Sequence, residues 1–504
     1  IVGENIGILA NHEGLGDLFI RSSNTVGLNA NGIEANISNN VNTGDITIVS
    51  EVNTAGGENG ILVNNAGTGN VTISAFNADG SSRNGVTVLN SDLTGGNIEV
   101  VNSATGGETG IYVENDGLGR ISVIANNATG TADAGISAIN TNNFNANQIS
   151  ISATGDVSGG GSGIQAGTDG LGGLNISAAN VAGATKFGIG AVIQNIANVE
   201  GISVSATGDV TGGSYGILAA TAGTGTISVD AGNVTGTSEV GIGADGGGDI
   251  SIAATGDVFG GKTGVAATSR GLGQINIEVA GVTAVVNNAI VAAIGDSDNV
   301  TDITIAATGD VSGGEGGITA YNNGTGAISI STAGVNGTLS DGINADNNNS
   351  NGTGNVSVIA GGDIIGGQHG IRANNNGTAD LIIEAGTVTG GTGDGILATT
   401  QGLDMSVTAT GLVTGGDDGI EAINNGFGDL TVVATDVTGV NDGGIRVRVG
   451  EVGTTGNISV TATGTGKGET IGARIQNFGY EQWIGQYIRD SRQCHCDERG
   501  WHCH

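Results

Sequence analysis

The residues best placed to do chemistry are acids at a fixed point in a repeated motif. Ala-Thr-Gly-Asp ends on Asp156, Asp209, Asp257 and Asp310, and Ala-Gly-Gly-Asp ends on Asp363. Such a row could hold cations weakly or serve polysaccharide hydrolysis. Glycosidases need two carboxyl groups about 5–5.5 Å or 6.5–9.5 Å apart. Here the acids recur every second repeat, roughly 10 Å apart if each repeat adds one strand spacing. Ca²⁺ takes about six to eight oxygens, more than a single row supplies. An Asx-type turn, with each carboxylate bonding nearby backbone N–H groups, accounts for the motif better.

A second set lies at the end of the chain. Cys494, His495, Cys496, His502, Cys503 and His504 are soft ligands that suit Zn²⁺ or Cu⁺. Their spacing matches no standard zinc module. The abrupt change in composition fits better with an end foreign to the repeat, such as a shifted reading frame.

Turns such as Gly14-Leu15-Gly16-Asp17 and Gly426-Phe427-Gly428-Asp429 resemble the calcium-binding nonapeptide. That motif returns every nine residues, whereas these turns return once per coil. No helix follows them, as a nucleotide loop would require. Outside the tail the histidines are His12 and His369, so no Ser/His/Asp or Cys/His set can be assembled. Lys262, Arg270 and Arg372 do not group with acids into a lyase site. The expectation is no enzyme and no cofactor, with Ca²⁺ as a candidate ion.

The elements that position these residues follow from one spacing. An apolar residue opens each repeat, and Ile or Val recurs fifteen residues later: Leu18 and Ile33, Ile46 and Ile61, Ile202 and Ile217, Ile303 and Ile318, Leu430 and Ile445. The repeat opening at Ile98 slips, with Ile111 thirteen residues on. Each repeat holds a strand such as Ile202-Ser203-Val204, a second centred on a residue such as Val210, and a third opened by Gly-Ile. Side chains alternating inward and outward mark each as a strand. The fold class is therefore all-β: a right-handed parallel β-helix, or β-solenoid, of three strands per coil and about 18 coils of 23–28 residues. At about 4.8 Å per coil this makes a rod of about 85 Å. The repeat domain spans residues 1–475, and 476–504 form an irregular Cys/His-containing tail.

Glycine contributes 100 of 504 residues and proline none, as uninterrupted ladders require. The glycine before each third strand reads as a turn needing positive φ or close backbone approach. Asn322-Asn323, Asn347-Asn348-Asn349, Asn374-Asn375-Asn376 and Asn424-Asn425 read as corners that bond to stacked neighbours as an amide ladder. Extra residues of the longer coils fall after the third strand, at 191–201, 292–302, 345–355 and 447–457, and should emerge along one edge. Insertions on one face of a solenoid often carry binding. Ser or Thr dominates the outward position of the first strand, which reads as β-propensity and solubility.

A net charge of −34 disfavours nucleic acid and anionic membrane as partners. No stretch is long and apolar enough for a membrane span. The start at Ile1 reads as a fragment or processed form.

The motif Ser-Ala-Thr-Gly-Asp-Val-x-Gly-Gly-x-x-Gly-Ile at 152–164 and 205–217, with Ala first at 253–265 and 306–318, resembles the repeats of bacterial autotransporter passengers and related large exoproteins. The resemblance covers roughly residues 1–475. It implies a right-handed β-helix displayed outside a Gram-negative cell, often for adhesion. The expected function is a structural and adhesive surface rod that grips a host or neighbouring-cell glycan or protein through the edge loops. A polysaccharide-active β-helix of the pectate-lyase or tailspike type and a passive spacer are the alternatives.

Overall fold

The computed structural model describes residues 1–450 and 456–464, together with the strands Ala473–Asn477, Tyr480–Ile484, Cys494–Asp497 and Gly500–Cys503. The chain divides into two compact units, Ile1–Gly248 with Ala253–Gly256, and Asp249–Ile252 with Asp257–His504. Each is a parallel β-solenoid, and no helix occurs among the described residues.

In the first unit, equivalent apolar residues stack coil on coil. Ile98, Ile121, Ile149, Leu174, Ile202 and Ile227 pair in sequence in one sheet. Ile111, Ile136, Ile164, Ile189, Ile217 and Ile242 do so in the other. All are at most 2 % exposed. Burying each such side chain contributes about 1.5–3 kcal/mol, and parallel stacking gives every one the same environment. The slip at Ile98 is absorbed locally: the register shifts by one residue between Asn102 and Ala104, and the turn from Gly106 to Ile111 is one residue shorter than that from Gly130 to Ile136. The core register survives.

Ile202–Ala206 and Val210–Gly212 belong to one sheet and Ile217–Thr221 to the other. The first two segments of a coil run continuously in Ile46–Gly56 but break into Ile202–Ala206 and Val210–Gly212 elsewhere. The glycine before the third strand is required by close approach: a Cβ on Gly188 would lie 2.5 Å from the Gly216 carbonyl oxygen, and one on Gly216 2.7 Å from that of Gly241. None of these glycines adopts a positive φ.

The second unit repeats the scheme. Ile275, Ile303, Ile328, Val356, Leu381, Met405, Leu430 and Ile458 stack in one sheet. Val265, Ile290, Ile318, Ile343, Ile371, Ile396, Ile420 and Ile445 stack in the other. Ala473–Asn477 continues the parallel order beside Ile445–Val449. Tyr480–Ile484 then pairs with it antiparallel.

The amide ladder expected at the corners takes two forms. In the first unit, Asn65 donates to Asn90 at 3.1 Å and Asn90 to Asn115 at 2.7 Å. In the second, Asn322, Asn375 and Asn424 cap their own turns, accepting from Gly324, Gly377 and Gly426 and donating to the carbonyls of Gly326, Ala379 and Gly428, while Asn348 carries the cross-coil amide bond, donating to Asn323 Oδ1 at 3.3 Å. Asn65 does both, since it also accepts from Gly67 and donates to the Gly69 carbonyl.

Candidate functional site

The loops after the third strand are anchored by buried amides. Asn145 donates from Nδ2 to the carbonyls of Gly117 and Gly119, both at 2.9 Å. Asn198 does the same to Gly170 at 2.9 Å and Gly172 at 3.0 Å. In the second unit Asn299 binds Gly271 at 2.8 Å and Gly273 at 3.0 Å. The same residues accept from their own loops, at the N–H groups of Asn147, Glu200 and Thr301. The Gly-x-Gly turn is therefore a receptor for the next coil's asparagine, which neither a calcium nor a nucleotide reading anticipates. Glycine is needed there because a Cβ on Gly119 would meet the Gly96 carbonyl oxygen at 2.0 Å, and one on Gly172 that of Asn147 at 2.0 Å.

A second tie links alternate loops. Asn142 donates to the carbonyls of Asp116 and Leu93, Asn195 to those of Asp169 and Asn143, and Asn349 to those of Asn323 and Ser297. Each long loop thus leans across the short turn before it. Side chains on this fixed backbone remain in solvent: Phe144 and Ile196 are both 82 % exposed. The loop at 447–457 lies partly outside the described residues.

The acids singled out by the repeat have different surroundings in the two units. In the first they alternate with asparagine. Asp156 donates its N–H to Asn127 Oδ1, and its carboxylate accepts from Asn180 at 2.9 Å. Asp209 donates its N–H to Asn180 Oδ1 and accepts from Asn233 at 2.9 Å. The side-chain partners lie one coil away, so this is a cross-coil ladder and the local Asx turn does not form. In the second unit glycine replaces the intervening asparagine. Asp257, Gly281 and Asp310 line one recess of about 530 Å³, and Asp310, Gly334 and Asp363 another of about 640 Å³. All five acids are exposed, and none belongs to a close carboxylate group among the described residues.

That group lies elsewhere and was missed. Oxygens of Asp394, Asp418 and Glu421 come within 4.8 Å of one another. Asp394 and Asp418 occupy the position just before the Gly-Ile strand. Asp418 accepts from the Gly443 N–H at 2.7 Å, and Arg446 Nη1 lies 3.0 Å from its Oδ2 and 3.3 Å from Glu421 Oε1. Arg446 also pairs with Asp442. Burial pushes the Asp418 carboxyl up to about 6; the Gly443 N–H and Arg446 favour its ionised form, while Asp442 and Glu421 oppose it. Burial also raises Glu421, again against Arg446. Burial works against the Arg446 cation, but Asp418, Glu421 and Asp442 outweigh it and hold it above its ordinary value. Three carboxylates could contribute to a cation site, but Arg446 already neutralises part of their charge. Aligning coils would have found the column, since Asp341, His369, Asp394 and Asp418 fall at one position.

In the tail, Cys494–Asp497 and Gly500–Cys503 pair antiparallel, with Cys494 opposite Cys503, His495 opposite His502 and Cys496 opposite Trp501. His504 lies outside the described residues.

No family, curated protein or solved structure matches this chain.

Proposed function

We propose that the chain is a structural and adhesive solenoid, secreted or displayed on a Gram-negative cell in the manner of an autotransporter passenger. Its coils wind right-handed, with three strand segments each. It holds a surface glycan or protein of a host or neighbouring cell on the loop edge and performs no chemistry on it. The observation that carries this reading is the anchoring of the loops. A binding surface ordered in advance loses little conformational entropy when its ligand arrives. Asn145, Asn198 and Asn299, which bind the Gly-x-Gly turns, are buried, whereas Phe144 and Ile196 on the same loops are exposed.

The test is an array of surface glycans and proteins probed with the chain, with and without Ca²⁺, reading cleavage products in the same wells. Binding without cleavage is expected. Polysaccharide cleavage would favour the enzyme reading, and silence throughout would favour a spacer.

A further inference from the structure

We infer that the loop edge of the first unit docks a protein segment carrying aliphatic side chains next to lysine or arginine. This rests on the reading of the loops as the binding edge and specifies the partner's chemistry. Five consecutive coils place Leu93, Leu118, Phe144, Leu171, Ile196 and Val199 on this edge, a ridge of about 20 Å at one strand spacing per coil. Leu93 is 68 % and Val199 72 % exposed, beside the still more exposed Phe144 and Ile196. Leu118, 39 % exposed, and the half-buried Leu171 lie on the coils between, so the prominent members recur on alternate coils. Isolated apolar residues are ordinary on a surface, but a row of them marks an interaction site.

Beside the ridge lies a recess of about 450 Å³, lined by Gln148, Gly173, Glu200, Gly201 and Thr226 among others. It exists because the column of residues preceding the first strand is interrupted. Elsewhere Asp45 and Asn70 fill that column and accept the N–H of the next coil. Gly173 and Gly201 have no side chain to do so. Glu200 follows Val199 directly, is exposed, and forms no hydrogen bond or ion pair through its carboxylate among the described residues. A carboxylate next to aliphatic surface suits the stem and charged head of lysine or arginine.

Charge selects among occupants. The edge carries Asp92, Asp116, Asp169 and Glu200 against Arg120. A second copy would bring the same acids, and nucleic acid or anionic lipid would be repelled. A cationic, apolar protein segment is attracted on both counts.

The test measures binding of the full chain to a synthetic Leu/Lys peptide, its Leu→Ser analogue and its Lys→Glu analogue, with anionic vesicles as a further probe. The Leu/Lys peptide should bind, and both analogues and the vesicles should bind at least tenfold more weakly. The double variant F144S/I196S, which keeps the charge, should lose at least about tenfold in affinity. Glu200→Gln should lose roughly two- to fivefold and weaken the salt dependence. Equal binding by F144S/I196S, or preference for the Lys→Glu peptide or the vesicles, would overturn the inference. Should the edge capture array ligands while peptide binding ignores the ridge, this inference falls and the adhesive reading stands. Should ridge-dependent peptide binding persist while the array stays silent, the adhesive reading falls and this inference stands.

Discussion

One column of the solenoid does the same backbone job with two chemistries. In the first unit Asn31, Asn59 and Asn84 accept the N–H groups of Asn59, Asn84 and Thr109. In the second, Asp341, His369, Asp394 and Asp418 accept those of His369, Asp394, Asp418 and Gly443. Each amide also donates: Asn59 Nδ2 to Asn31 Oδ1 at 2.9 Å within the column, and Asn31 and Asn84 to the neighbouring Glu34 and Thr87 side chains. Carboxylates only accept, so stacked Asp394 and Asp418 need a counter-charge from outside the column, and Arg446 supplies it. His369 shows the same constraint. Its Nδ1 accepts the Asp394 N–H at 2.9 Å, and Asp394 Oδ2 lies 3.5 Å from the same nitrogen. An amide column needs no counter-charge, whereas an acidic one depends on its neighbours and on pH.

Moving an acid into the amide column should have the largest effect. Asn59→Asp places a carboxylate at a 3 % exposed position, facing Asn31 Oδ1, while the arginine of the adjoining coil, Arg83, pairs with Glu58. It should destabilise the first unit by about 3–5 kcal/mol at pH 7, read by urea unfolding, and recover in acid. Removing the counter-charge is next: Arg446→Ala should lower the stability of the second unit by about 2–4 kcal/mol, since Asp418 is fully buried while the guanidinium is partly solvated.

Asp418 should also leave a signature in pH. Its folded pKa, about 6, lies above the ordinary 3.8, so the folded state holds the proton more tightly. The stability this contributes is complete below about pH 4 and is lost as pH rises through 6, up to about 3 kcal/mol. Asp418→Asn should remove that slope from unfolding midpoints measured between pH 4 and 7. The smallest effect is expected of His369→Asn, which rebuilds an amide acceptor beside Asp341. It should change stability by less than about 1 kcal/mol.

The solenoid was legible because every coil solves one packing problem with the same residue types. Ile217 and Ile242 announce themselves through spacing alone. The edge was half legible. Loop lengths located it, but the purpose of Gly117-Leu118-Gly119 was hidden because its partner, Asn145, lies 26 residues beyond Gly119. The acidic column escaped because Asp394 and Asp418 sit in unlike local sequences, Gly-Asp-Gly and Asp-Asp-Gly, and meet only when coils are stacked. Arg446 opens no motif at all; it matters because parallel register puts it beside Glu421.

The most direct test of the adhesive edge replaces the loop Asn195–Glu200 with the turn of a 25-residue coil and compares capture of array ligands by this variant and the intact chain. The account predicts an unchanged fold by circular dichroism, capture by the intact chain, and at least tenfold weaker capture by the variant. Equal capture by both, or by neither, would contradict it.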